Sequence, residues 1–295
     1  MNFQSELQER TKAAEEIIRM YLPKEEGFAV HLAEAMNYSI CSGGKRLRPI
    51  LIMETYRLFG GSGHVVEPFM AAIEMIHTHS LVHDDLPALD NDDYRRGRLT
   101  THKVYGEAMG VLSGVALLNY AYETMMKAFV LTDRPQSVIR AMEIMAHNTG
   151  LYGMLGGQSV DVENDGKPVS KELLDYIYEN KTSALIQASM LTGAVLADAD
   201  KKELEVIDRA ARNIGLAFQI RDDILDVTSS QEELGKPVHS DEKNNKTTYV
   251  TLMGISKASE QVTDLSVEAV ALLDSLNRKN KFLDTLVKEL VGRRK

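Results

Sequence analysis

A single cysteine, Cys41, stands among the 295 residues, so no intrachain disulfide can form. The lone thiol reads as a small buried hydrophobe and fits a reducing cytoplasmic setting. Prolines number seven, at 23, 49, 68, 87, 135, 168 and 237. The long stretches after Pro87 and Pro168 therefore carry no helix breaker, and they are rich in Ala, Leu, Met, Glu and Lys. Alternating runs of β-branched residues are missing, and no Asn-Gly pair separates two apolar strands, which argues against hairpins. The uncharged runs 108–122 and 182–197 fall short of the ~18 residues of a membrane span and read as buried helices. Residues 1–22 carry Glu and Arg throughout and lack the apolar centre of a secretory signal. Positive charge is also in deficit. The 34 Lys and Arg against 43 Asp and Glu give a formal net charge of −9, which argues against non-specific nucleic-acid binding. Any anionic substrate would be repelled unless cations intervene.

What is present is helical. Ile17, Met20 and Tyr21 follow one helix face, as do Leu173, Ile177 and Ile186 with their neighbours. Breaks are expected at 58–65, 131–136, 164–170, 197–201 and 228–245. Ser170 is placed to cap a helix whose first turn holds Glu172. No linker or low-complexity tract divides the chain. The expected architecture is all-α, one domain over 1–295, a single large bundle of about ten or more helices.

Two acidic clusters stand out. The second reads Phe218-Gln219-Ile220-Arg221-Asp222-Asp223-Ile224-Leu225-Asp226. Gln219, Asp222, Asp223 and Asp226 are spaced i, i+3, i+4 and i+7, one polar stripe on an otherwise apolar helix. Three buried carboxylates repel one another and are costly to desolvate, and magnesium, a hard ion that prefers oxygen, would compensate. A solvated acidic face with Arg221 as ion-pair partner is the alternative. The first cluster runs from His83 through Asp84, Asp85 and Asp90 to Asp93. Asp90 would point away from Asp84 on a continuous helix, so Pro87 is expected to break the helix and let Asp90 swing back. Asp92 and Asp93 read as a solvated edge or a cap.

Cations follow at once in Tyr94-Arg95-Arg96-Gly97-Arg98 and His102-Lys103. Metals bridging carboxylates to a polyphosphate, with Arg and Lys on the remaining oxygens, would use that arrangement. Mutual neutralisation of surface charge is the alternative. A third element, Ser42-Gly43-Gly44-Lys45-Arg46-Leu47-Arg48-Pro49, is a basic turn without Walker A spacing.

Together these elements resemble the trans-prenyl diphosphate synthases, the isoprenoid synthase family of farnesyl and geranylgeranyl diphosphate synthases. The likeness runs over roughly residues 39–254, and the spacing from Asp84 to Asp90 looks like the bacterial short-chain type. The resemblance implies helices around a central cavity, a homodimer, and magnesium, three ions per site with substrate bound. Asp84, Asp85 and Asp90 would hold metal from one wall, and Asp222, Asp223 and Asp226 from the other. Arg95, Lys181, Thr182, Gln219, Lys236 and Lys246 would bind the allylic diphosphate. Lys45, Arg48, His77 and Arg96 match the isopentenyl diphosphate site. Residues Asp84, Asp85, Asp90, Arg95, Lys181, Asp222 and Asp223 would carry the catalysis.

The sequence departs from the family at His79, where farnesyl-type members usually carry an aromatic floor residue. With Ser80 it is expected to set product length, farnesyl favoured over geranylgeranyl. Val115 replaces a common Asp, and Ser183 and His239 replace glycines. Residues 161–172 look like a calcium-binding loop but fit it badly, with Glu163 at its third place and Pro168 at its eighth. Gln158 and Asp161 match the synthase pattern. A terpene cyclase would lack Lys45, Arg48 and the second motif. A non-catalytic synthase subunit would tend to lose one motif, and both are intact.

Overall fold

A computed structural model of the protein describes residues 2–229 and 247–292. The described residues form helices α1 (Phe3–Met20), α2 (Val30–Ile40), α3 (Leu47–Leu58), α4 (Glu67–Asp84), α5 (Thr101–Tyr105), α6 (Glu107–Met126) and α7 (Pro135–Thr149). They continue with α8 (Met154–Glu163), α9 (Lys171–Tyr178), α10 (Ala184–Leu196), α11 (Lys201–Thr228), α12 (Tyr249–Ser275) and α13 (Lys281–Gly292). The expected breaks fall between these helices; the last of them lies largely outside the described residues. Ser170 caps α9 through the Leu173 amide, and Asp200 with Glu203 forms a capping box on α11. The all-α expectation holds with one small exception: Tyr94–Arg95 pairs antiparallel with Arg98–Leu99 across a turn at Arg96 and Gly97. Both turn residues have positive φ, 52° and 75°. Arg-Gly carries a weaker hairpin signal than Asn-Gly, which hid this turn in the sequence.

Helices α4 and α10 are buried over most of their length and sit at the centre, α4 against α3 and α6, α10 against α3, α7 and α11. Two glycines set the spacing. A Cβ at Gly193 of α10 would lie 2.3 Å from the Ile52 carbonyl oxygen of α3, and one at Gly114 of α6 would lie 2.1 Å from His83 Nε2 of α4. The chain ends meet: Phe3 stacks on Phe282 at 5.5 Å, and buried Glu54 accepts from Arg10 (2.9 Å), Arg57 (2.7 Å) and Asn280 (2.8 Å). No described helix is long and apolar enough to cross a membrane.

Gly193→Ala forces α3 and α10 apart and should cost about 1–3 kcal/mol of stability, read as a lower urea midpoint. An unchanged midpoint would contradict the close approach.

Candidate active site

The first cluster ends α4. Asp84 is its last residue, Asp85 its C-cap, and the chain then turns sharply so that the Asp90 amide donates to the Asp84 carbonyl oxygen at 2.8 Å. The expected return of Asp90 is therefore present in the backbone. Carboxylates at a helix C-terminus face the negative end of its dipole, an unfavourable place unless cations are near. Burial, with repulsion from Asp90 and Asp85, pushes the Asp84 carboxyl up to about 6 against the pull of Lys181 and Arg95. Gln158 Nε2 donates to Asp84 at 2.8 Å. Asp85 is also raised by burial, although the Arg95 guanidinium grips one of its oxygens at 2.7 and 2.6 Å. Asp92 and Asp93 lie at the exposed edge, beside Arg95 (3.7 Å) and Lys103 (2.8 Å).

Below this end of α4 lies a cavity of about 320 Å³ whose lining includes Arg48, His77, His79, Ser80, Asp84, Gln158, Lys181 and Thr182. Residues far apart in sequence thus meet in one space. His77 lies two helical turns before Asp84 on the same face. Burial, with Arg48, Arg96, Arg95 and Arg46 around it, holds its pKa well below the ordinary value, so the imidazole is neutral.

The basic turn divides its labour. Arg46 is a buried strut, donating to Glu74 of α4 and to the Ile40 carbonyl oxygen, each at 2.7 Å. That anchor fixes the start of α3 and sends Arg48 into the cavity. Arg96 donates to the Gly43 carbonyl oxygen, and a Cβ at Gly44 would lie 2.7 Å from its guanidinium. Lys45 is exposed and outside the lining of this cavity.

Lys181 and Thr182 sit in a π-helical turn, Glu179–Ser183, joining α9 to α10. Such wide turns recur at functional sites because they displace side chains from helical register. Two helices close on it: a Cβ at Gly157 of α8 would lie 2.4 Å from the Lys181 amide nitrogen, and one at Gly215 of α11 would lie 2.5 Å from Ser183 Cα. Lys181 donates to Asp161 at 2.6 Å, so the supposed calcium loop begins with a partner of the candidate site. Thr182 donates to Gln219 at 2.9 Å. Lys181 and Thr182 also line a neighbouring cavity of about 110 Å³ with Gln219 and Asp223. The π turn is thus shared by a space facing Asp84 and a space facing Asp223.

The second cluster lies on continuous α11, as its spacing required. Asp223 and Asp226 are buried; Asp223 accepts from the Tyr178 hydroxyl (2.7 Å) and the Tyr249 amide (3.0 Å). Among the described residues, no three carboxylate, histidine or thiol groups form a ready-made metal cage. Magnesium needs none, since it takes one or two carboxylates and completes its shell with water and phosphate oxygens. Lys236, Lys246 and His239 lie outside the described residues. Val115 is exposed on α6 and turned from both cavities.

Sequence reasoning missed the roles of Tyr178, Tyr249 and His83. His79 Nδ1–H donates to the Gly114 carbonyl oxygen (3.0 Å) and His83 Nε2–H to that of Val111 (3.1 Å), their rings edge to face at 4.7 Å. Burial, then the His83 ring, lowers the His79 pKa from 6.5 to about 4.

An almost all-helical fold whose two aspartate-bearing helices border neighbouring cavities, with Lys181 and Thr182 lining both, fits a class of enzymes that handle isoprenyl diphosphates. The polyprenyl synthetase family matches residues 29–286. The farnesyl diphosphate synthase of Geobacillus stearothermophilus is 44% identical over 256 residues, 87% of this chain and 86% of that one. The geranylgeranyl diphosphate synthase of Cyanophora paradoxa is 40% identical, over 91% of this chain and 89% of that one. The crystal structure of the Helicobacter pylori geranyltransferase complexed with magnesium and isoprenyl diphosphate superposes with a TM-score of 0.83 at 30% identity, over 99% and 97% of the two chains. This chain belongs to the polyprenyl synthetase family, and it is a prenyltransferase.

A depressed histidine favours folding above the unfolded pKa and loses that contribution as pH falls from 6.5 toward about 4. His79→Asn keeps a donor for Gly114 without the titration. Its stability should therefore fall less than the parent's between pH 6.5 and pH 4 in thermal melts; parallel curves would contradict the buried neutral imidazole.

Proposed function

We propose that the protein joins isopentenyl diphosphate to dimethylallyl and geranyl diphosphates, with farnesyl diphosphate as the main product, using magnesium. The carrying observation is the one cavity that Arg48 and His77 share with Asp84, Lys181 and Thr182. A second reading, geranylgeranyl diphosphate as product, is favoured by His79, whose imidazole is smaller than the usual aromatic floor.

The donor set suits a hard divalent ion. Its groups are carboxylates, two of them at the negative end of α4, and burial, with repulsion from Asp90 and Asp85, pushes Asp84 up to about 6 despite Lys181 and Arg95. Asp84, Asp85 and Asp90 would hold the ions from one side and Asp222, Asp223 and Asp226 from the other. The bound ions would neutralise charge developing on the departing diphosphate. Arg95, Lys181, Lys236 and Lys246 grip the remaining allylic diphosphate oxygens, and Gln219 and Thr182 orient them. Lys45, Arg48 and Arg96 hold isopentenyl diphosphate by direct charge pairing, and His77 donates as a neutral imidazole. The allylic C–O bond ionises, the isopentenyl double bond attacks the allylic cation, and the proton lost at the next carbon passes to the released diphosphate. A ligand shared by both acidic walls is supported by Lys181 and Thr182, which line both the cavity at Asp84 and the one at Asp223. Apolar side chains such as Leu81, Met154, Leu155 and Leu185 keep water from the cation and receive the growing chain.

Residues 1–295 act as one domain in this reading, supported by the meeting of α1 with α13. The chain pairs as a homodimer through α6, whose outward stripe carries exposed Val111, Leu112 and Val115. A cytoplasmic location suits the single free thiol and soluble substrates.

Incubation with magnesium, isopentenyl diphosphate and dimethylallyl diphosphate should give linear diphosphates, and cyclic hydrocarbons or no product would contradict the reading. Asp84→Asn and Asp222→Asn should each lower kcat by roughly 10²–10³-fold or more. His79→Tyr should shorten the product distribution; an unchanged distribution removes His79 from the floor. Val115→Asp should yield monomers in sedimentation, and an intact dimer would place the interface elsewhere.

A further inference from the structure

We infer that Tyr178, together with the backbone amide of Tyr249, positions the Asp223 carboxylate toward its cation, and that Asp175 contributes by seating Tyr249. The inference rests on the proposed role of Asp223 as a metal ligand. Asp223 is buried, 3% exposed, yet borders the smaller cavity beside Lys181, Thr182 and Gln219. Its Oδ2 accepts two hydrogen bonds, from the Tyr178 hydroxyl at 2.7 Å and the Tyr249 amide at 3.0 Å. The donors come from α9 and α12, two helices that both pack on α11 and meet each other through the two tyrosine rings. Two bonds on one oxygen from separate helices fix the plane of a carboxylate and hence the direction of its other oxygen. A ligand held in this way loses less entropy when an ion arrives.

Each donor has a structural reason to be there. Tyr249 is the first residue of α12, where backbone N–H groups have no acceptor within the helix. Thr248 caps the Thr251 amide, and Asp223 takes the amide of Tyr249. The Tyr249 ring is fully buried, and its hydroxyl donates to Asp175 of α9. Tyr178 is the last residue of α9, directly before the π turn that carries Lys181 and Thr182. The two tyrosine rings pack at 5.6 Å within a small separate core formed by Leu174, Ile177, Leu216, Ile220 and Val262. One short stretch, 175–182, therefore carries the Asp175 anchor, the Asp223 support and two of the proposed diphosphate-binding side chains, Lys181 and Thr182. This couples the orientation of the second acidic wall to the turn that presents Lys181. Tyr178 and Asp175 act through Asp223 and are positioning residues.

Tyr178→Phe keeps the ring and removes the donor. Manganese, as the probe ion, is titrated into the full-chain protein with inorganic diphosphate, and free Mn²⁺ is read by electron paramagnetic resonance. Affinity should fall about 10-fold or more. The magnesium concentration for half-maximal activity should rise in parallel, high magnesium should restore kcat, and KM for isopentenyl diphosphate should hold. Asp175→Asn, which leaves Tyr178 untouched, should show a smaller loss in the same direction. A lower Tm with intact Mn²⁺ affinity in Tyr178→Phe and Asp175→Asn would reduce both residues to core packing and overturn the inference. Asp223→Asn separates the two claims. Undiminished Mn²⁺ binding there defeats the metal-ligand reading itself, whereas weakened binding there with none in Tyr178→Phe defeats only the positioning role.

Discussion

The constraint on which the site depends is the cost of keeping carboxylates at the dry, negative end of a helix. Asp84 and Asp85 close α4, where the helix dipole disfavours them and burial raises both. The chain's cations answer only part of this. Arg95 is committed to Asp85, Lys181 donates to Asp161, and the Asp84 carboxyl still stands at about 6. Charge placed at such expense sits beside a cavity that neutral His77 and half-buried Arg48 also line. A ligand that brings its own cations and a polyphosphate resolves the imbalance, which links the electrostatics to the family's chemistry.

Backbone proximity makes that geometry possible. The π turn holding Lys181 and Thr182 is gripped between Gly157 and Gly215, where a single methyl group would collide with backbone atoms. Gly114 does the same for the His83 ring, which with His79 pins α4 to α6 through carbonyl oxygens. The floor of the cavity and its first acidic wall thus share α4, and the π turn brings Lys181 to them from a different part of the chain.

Much of this was legible in the sequence because it depends on local spacing. The i, i+3, i+4, i+7 stripe on α11, the proline break after Asp85 and the glycine-rich gap after α3 each follow from helix periodicity or backbone restriction. The convergence of Arg48, His77 and Lys181 was not legible from spacing, since it depends on how α3, α4 and the π turn pack; only the family resemblance suggested it. Arg46 shows the limit clearly. It reads as one of three equivalent cations, but its contact with Glu74 is long-range and makes it a buried strut. Tyr178 and Tyr249 were invisible because a tyrosine in an apolar helix carries no sign of what its hydroxyl or amide will meet.

The most direct test of the central claim is a crystal structure of the protein with manganese and inorganic diphosphate, with the ions located by anomalous scattering. The account predicts ions bridging one diphosphate to carboxylates of both α4 and α11, with Lys181 on the same anion. A diphosphate bound with ions on one wall alone, or away from the cavity, would contradict it.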